Sequence, residues 1–259
     1  MERSNFLVTA LLVIKLGIAA QAEQVPVKHI QRPMHRSMVV RSEAGRIIAH
    51  CEFSQAVQGD EVKMRLSFRF ADGSIDDETT TYTQRGAFRL VRDRHIQKGP
   101  FFTKPYDFSV ETRTGMATFR TPEENGKVQV ESKHIDLPYD LANGLVGTLL
   151  LNVPQNTPPF WVWLLAPVGG GRLIRIRISP EGKQSFCLAG QNLKAAVFRI
   201  HPELGGIVGL IAMIIGVQPK DVMVWVKEGR QPEVVRIVGQ LGGYGPVVDS
   251  DLEGTSFEK

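Results

Sequence analysis

Apolar and polar residues alternate with period two along much of the chain. Ile47, Ala49, Cys51 and Phe53 alternate with Ile48, His50, Glu52 and Ser54, and Val62, Met64, Leu66, Phe68 and Phe70 alternate with Lys63, Arg65, Ser67 and Arg69. Such alternation gives a strand one apolar face. Gln58-Gly59-Asp60 and Ala71-Asp72-Gly73-Ser74 supply turn chemistry at the two ends of the second run, so an antiparallel meander is predicted. Further strands are expected over 88–91, 106–111, 117–120, 128–135, 160–165, 173–178, 194–200, 222–226 and 234–238, with a turn at Thr114-Gly115 and a hairpin signal at Asn125-Gly126.

Two segments depart from that period. Residues 140–151 start at Asp140 and place Leu141, Leu145, Val146 and Leu149 at helical spacing, which predicts one main amphipathic helix. Residues 205–217, GGIVGLIAMIIGV, carry no charged or polar side chain. At about 1.5 Å per residue a helix there rises about 20 Å, short of a hydrocarbon core of about 30 Å. His201-Pro202-Glu203 and Gln218-Pro219-Lys220-Asp221 bar its extension. We therefore expect a short apolar helix with Leu210, Ile211 and Ile214 facing the sheet, either as core or as a lid over a ligand cavity. The whole pattern predicts a mainly β fold: a strongly curved antiparallel sheet, half-barrel or barrel-like, with these two helices.

The N-terminus carries a different apolar run. A short polar start with Arg3, an apolar region from Phe6 to Ala20 and the small-x-small pattern Ala20-Gln21-Ala22 read as a secretory signal peptide over residues 1–22. Lys28, His29, Arg32, His35, Arg36 and Arg41 then make residues 23–42 a basic arm, ahead of a single β-rich domain over 43–248 and a C-terminal tail over 249–259. Loss of the leader takes Glu2, Arg3 and Lys15 from the 31 basic and 27 acidic residues, leaving 29 against 26, a net charge of +3. That is too mild for a dense basic face, so nucleic acid is set aside as a partner. No membrane span is expected after processing.

The stretches GRIIAHCEFSQAVQGD, RLVRDRHIQKGP, HIDLPYDLANGL, ELGGIVG and VMVWVKEGRQP, spread over residues 40–245, resemble an uncharacterised family of secreted bacterial proteins. The resemblance implies an exported β-rich protein of unknown function. More distantly, a large antiparallel sheet with a helix resembles the half-barrel architecture of periplasmic lipoprotein carriers, a likeness of architecture alone.

Local catalytic motifs are absent from the sequence: it has no Gly-x-Ser-x-Gly, no His-Glu-x-x-His and no phosphate loop. His50, His95 and His134 fall on three separate strands, and nothing in their spacing gathers them on a metal; no cofactor is implied. Cys51 and Cys187 are not expected to pair, because Cys51 shares a face with Ala49 and Phe53 whereas Cys187 points away from its neighbours Phe186 and Leu188. Around residue 90, simple alternation carries one face from Phe88 and Leu90 on to Arg92 and Arg94. Those two arginines are either the mouth of a pocket for an amphiphilic anion or a solvated strand end. Two function classes follow: a non-enzymatic envelope protein that binds an apolar or lipid-like ligand, and an exported hydrolase whose site is assembled from dispersed residues such as His95, His134 and Asp136.

Overall fold

Period-two alternation resolves into fifteen strands of one antiparallel sheet. The computed structural model describes residues 25–122, 127–168, 170–203, 219–241 and 245–257. Within them run β1 (Met34–Ser42), β2 (Ile47–Gln58), β3 (Glu61–Phe70), β4 (Ile75–Arg85), β5 (Ala87–Lys98), β6 (Tyr106–Glu111), β7 (Met116–Pro122) and β8 (Val128–His134). Helix α1 (Val146–Leu150) follows, then β9 (Phe160–Ala166), β10 (Arg172–Leu188), β11 (Gln191–Glu203), β12 (Val222–Lys227), β13 (Glu233–Gln240), β14 (Val247–Leu252) and β15 (Thr255–Phe257). The spatial order is β15-β10-β11-β12-β13-β14-β1-β2-β3-β4-β5-β6-β7-β8, with β9 beside the first half of β10.

Most neighbours are also successive in the chain, as hairpins require. The main exception ties the two ends together, because β14 pairs with β1 through Met38↔Leu252 and Val40↔Ser250. Residues 34–42, expected in a basic arm, are thus a strand hydrogen-bonded on both sides, and residues 249–257, expected as a tail, belong to β14 and β15. Met38 and Val40 are buried, but flanking arginines hide their alternation in the sequence. Residues ahead of β1 touch the sheet by a backbone bridge of Pro26 to Ala87 and are further held by side-chain amides. Asn152 Oδ1 accepts from the Lys28 and His29 amides at 2.8 and 2.7 Å, and Gln84 Oε1 accepts from Gln31 N at 2.7 Å.

Ile176 of β10 and Ile200 of β11 line one cavity with Leu66 of β3, although six strands separate β10 from β3 in the order, so the sheet curls around a shared interior. The curl does not close by a ladder, since among the described residues β8 and β9 do not pair. Residues 140–145 run along β9 instead. Ala142 N donates to Trp163 O at 2.8 Å, Leu141 bridges Trp163 in parallel, and Asn143 donates to Leu165 O and accepts from Leu165 N at 2.9 and 2.8 Å.

This arrangement shortens the expected amphipathic helix. Its first half, 140–145, serves as an extra partner for the edge of β9, Gly144 takes a left-handed φ of +65°, and only Val146–Leu150 is helical. The apolar residues that suggested helical spacing still point inward, with Leu145, Leu149 and Leu150 packed on Tyr82, Phe108, Phe198 and Ile178 in the main core. Each such side chain stabilises the fold by about 1.5–3 kcal/mol. The second helix was expected over 205–217; that segment, with Leu210, Ile211 and Ile214, lies outside the described residues, as does Asn125-Gly126.

Candidate functional site

Strand β5 departs from simple alternation at one residue, and the interior depends on it. Tyr82 faces Leu90 while the preceding Thr81 faces Arg92, so Val91 is an extra residue on β5. A β-bulge of this kind shifts every later side chain to the opposite face. Phe88 and Leu90 point inward before the bulge; after it Asp93, His95 and Gln97 do. Arg92 and Arg94 therefore point outward, correcting the inner basic face read from the sequence. Arg92 Nη2 donates to Glu111 Oε2 and Arg94 Nη2 to Asp107 Oδ2, each at 2.7 Å, and both arginines are exposed.

What the bulge brings inward is a polar row across β4, β5 and β6. The ladder sets Asp76 opposite Gln97, Glu78 opposite His95 and Thr80 opposite Asp93, and sets Gln97 opposite Tyr106. His95 Nε2 lies 2.6 Å from Asp76 Oδ1, Gln97 donates to Asp76 Oδ2 at 2.6 Å, and Tyr106 Oη lies 3.1 Å from His95 Nδ1. Thr80 Oγ1 donates to Asp93 Oδ1 at 2.8 Å, while Asp93 Oδ2 is buried without a partner among the described residues. Gly144 presses its backbone against this row: a Cβ there would collide with Thr80 Oγ1 and come within 3.0 Å of Asp93 Oδ1.

Three carboxyls around one imidazole in a dry setting disturb each other's titration. Burial acts to lower His95, but Asp76, Glu78 and Asp93 outweigh it and raise the ring to about 9, so the ring is charged at neutral pH. Burial raises Glu78, with Asp76 adding to the effect against the pull of His95. Burial, reinforced by Glu78, holds Asp93 well above the ordinary carboxyl range.

A cavity of about 480 Å³ is lined by Phe53, Met64, Leu66, Ile174, Ile176 and Ile237, by Glu78, His95 and Tyr106 of this row, and by the polar side chains Gln31, Gln55, Asn143 and Thr148. Such a size and a mainly apolar lining with a few convergent polar groups are those of small-molecule sites. Arg36 also lies on the cavity wall and is ion-paired to Glu233, itself bonded to Lys227 at 2.7 Å. Pro202 and Pro219, which flank the apolar run, also line the cavity.

The histidines do not converge. His95 is inside, whereas His50 and His134 are exposed, and Asp136 meets His134 only across 3.9 Å at the surface. No group of three or more His, Cys, Asp or Glu able to hold a metal occurs among the described residues. His95, His134 and Asp136, the residues named for a dispersed hydrolase site, are therefore not brought together. Cys51 is buried among Met38, Phe68 and Phe70, Cys187 lies at the end of β10, and both thiols are free. Sequence reasoning missed Asp76, Glu78, Asp93 and Tyr106 altogether. The available signal was IDDETTTYTQR, a run of threonines and a tyrosine with good strand propensity but no apolar alternation.

Fold and cavity together define a class: a mainly β, antiparallel, barrel-like protein whose sheet is not closed and whose interior holds an apolar cavity with one acidic wall. No protein-family model matches the chain, and no curated protein sequence matches it. Among solved structures it is similar to a β-barrel-like protein of the domain of unknown function DUF1849 from Brucella abortus, at 10% sequence identity and a TM-score of 0.47, over 89% of this chain and 100% of that one.

Proposed function

We propose that this is a non-enzymatic binding protein of the cell envelope that carries one apolar, lipid-like molecule inside its curled sheet. The observation that supports this reading is the interior cavity of about 480 Å³, walled by aliphatic and aromatic side chains from strands on opposite sides of the curl. Burying a chain of methylenes against such walls is favourable by about 0.8 kcal/mol per CH₂. The leader-like residues 1–22 support export in this reading. Native mass spectrometry of protein purified from cells without detergent tests it. We expect a species heavier than the chain by one apolar molecule that organic extraction removes; a chain that emerges empty, and stays empty after incubation with lipid extract, contradicts the reading.

A further inference from the structure

A carboxyl on an apolar wall is costly to leave without a hydrogen-bond partner. Glu78 lines the cavity, yet its nearest ionic neighbour, His95 Nδ1, is 3.8 Å away, and Glu78 has no hydrogen bond among the described residues. One rung along the ladder, Asp93 is 0% exposed and its Oδ2 is unpaired. Asp76 is already engaged by both His95 and Gln97. The inner row thus holds three carboxyls but one cation, and Glu78, the carboxyl on the cavity wall, meets that cation only across 3.8 Å.

The basic side chains on the wall are differently occupied. Arg36 is consumed by Glu233, and Lys220 is exposed to water. An anionic head therefore finds a basic group that is already paired or hydrated, whereas a donor head finds an unsatisfied carboxyl beside a long apolar wall.

From this geometry we infer that the cavity selects a single-chain amphiphile with a primary ammonium head, which donates to Glu78 while its chain lies against Met64, Leu66, Ile174 and Ile237. Tyr106 and His95 flank the carboxyl and set how far the head enters. This inference rests on the proposed binding of an apolar ligand and narrows it to one head chemistry.

Displacement of the neutral probe N-phenyl-1-naphthylamine by dodecylamine, dodecanol and dodecanoate, each below its critical micelle concentration, tests it on the full processed chain. We expect dodecylamine to displace the probe at least about tenfold more tightly than dodecanoate, as a charge-assisted hydrogen bond requires. Glu78→Gln, which keeps the shape and removes the charge, brings the two to within about twofold while probe binding persists. Equal displacement by all three compounds in the wild type overturns the inference and leaves the binding reading standing. Tighter binding of dodecanoate also overturns it, and assigns the head to the basic wall. If the probe itself does not bind, the binding reading fails first. The wild-type ratio decides the matter even if a variant does not fold.

Discussion

His95 ties three carboxyls into one titrating unit, and its charge has a consequence for stability. Its ring, ordinarily at 6.5, holds its proton in the fold up to about 9. The folded state therefore binds that proton more tightly than the unfolded chain. The resulting stabilisation is fully present below pH 6.5 and is lost as pH rises through about 9, amounting to at most about 3 kcal/mol. Glu78 and Asp93, raised by burial, act in the same direction, since their protonated forms suit the interior and stability drains as pH climbs above the ordinary carboxyl range. Thermal melts between pH 6 and 10 should show a falling alkaline limb that His95→Gln flattens; an unchanged limb in that variant contradicts the assignment. Gly144 offers a second test at this scale. Ala there must adopt a positive φ and push its methyl into Thr80 and Asp93, so Gly144→Ala should cost about 2–4 kcal/mol in chemical denaturation. A loss below about 0.5 kcal/mol means that the 140–145 segment does not press on the polar row.

At the scale of elements, the bulge at Val91 decides which residues face the ligand. Strict alternation through β5 without the bulge would turn Arg92 and Arg94 inward and Asp93 and His95 out. Burying two guanidinium groups there is a severe penalty that holds the bulge in place, and deleting Val91, which keeps Asp93 and His95 inward without it, should leave a cooperative melt; a lost melt contradicts Val91 as the extra residue. Replacing Arg92 and Arg94 by Ala, by contrast, removes two exposed ion pairs worth at most about 1 kcal/mol each and should leave probe binding unchanged. Weakened binding in that double variant would return the arginines to the pocket. The bulge also marks how far the sequence is legible. Strands β2 and β3 are plain in it because Cys51, Phe53, Met64 and Phe68 recur at every second position, whereas nothing in the letters RLVRDRH announces an extra residue. Strand β4 was invisible for a related reason: apart from Tyr82 its inward side chains are Asp76, Glu78, Thr80 and Gln84, polar residues that face Asp93, His95 and Gln97 of β5 or bond to Gln31 and so leave no apolar alternation to read. Helical spacing over 140–151 was real as a burial pattern, but Asn143 and Leu141 spend their backbone and amide groups on the edge of β9.

For the whole molecule, the curl matters more than any one strand. Pairing of β14 with β1 joins the first strand to the late ones, the 140–145 segment lies along the edge of β9, and the interior holds a cavity beside the main core. The curved antiparallel sheet could be read from the sequence; the cavity could not, because it depends on how strands far apart in the chain face one another. The central claim is that this interior takes an apolar ligand, and filling it is the most direct test. Ile237 is a half-buried residue of the cavity wall on β13. Titration of N-phenyl-1-naphthylamine into wild type and Ile237→Trp, with melting temperatures in parallel, should give one saturable site in the wild type and at least about tenfold weaker binding in the filled variant, with the melt at or above that of the wild type. Equal probe affinity in both proteins, with both folded, would contradict the account.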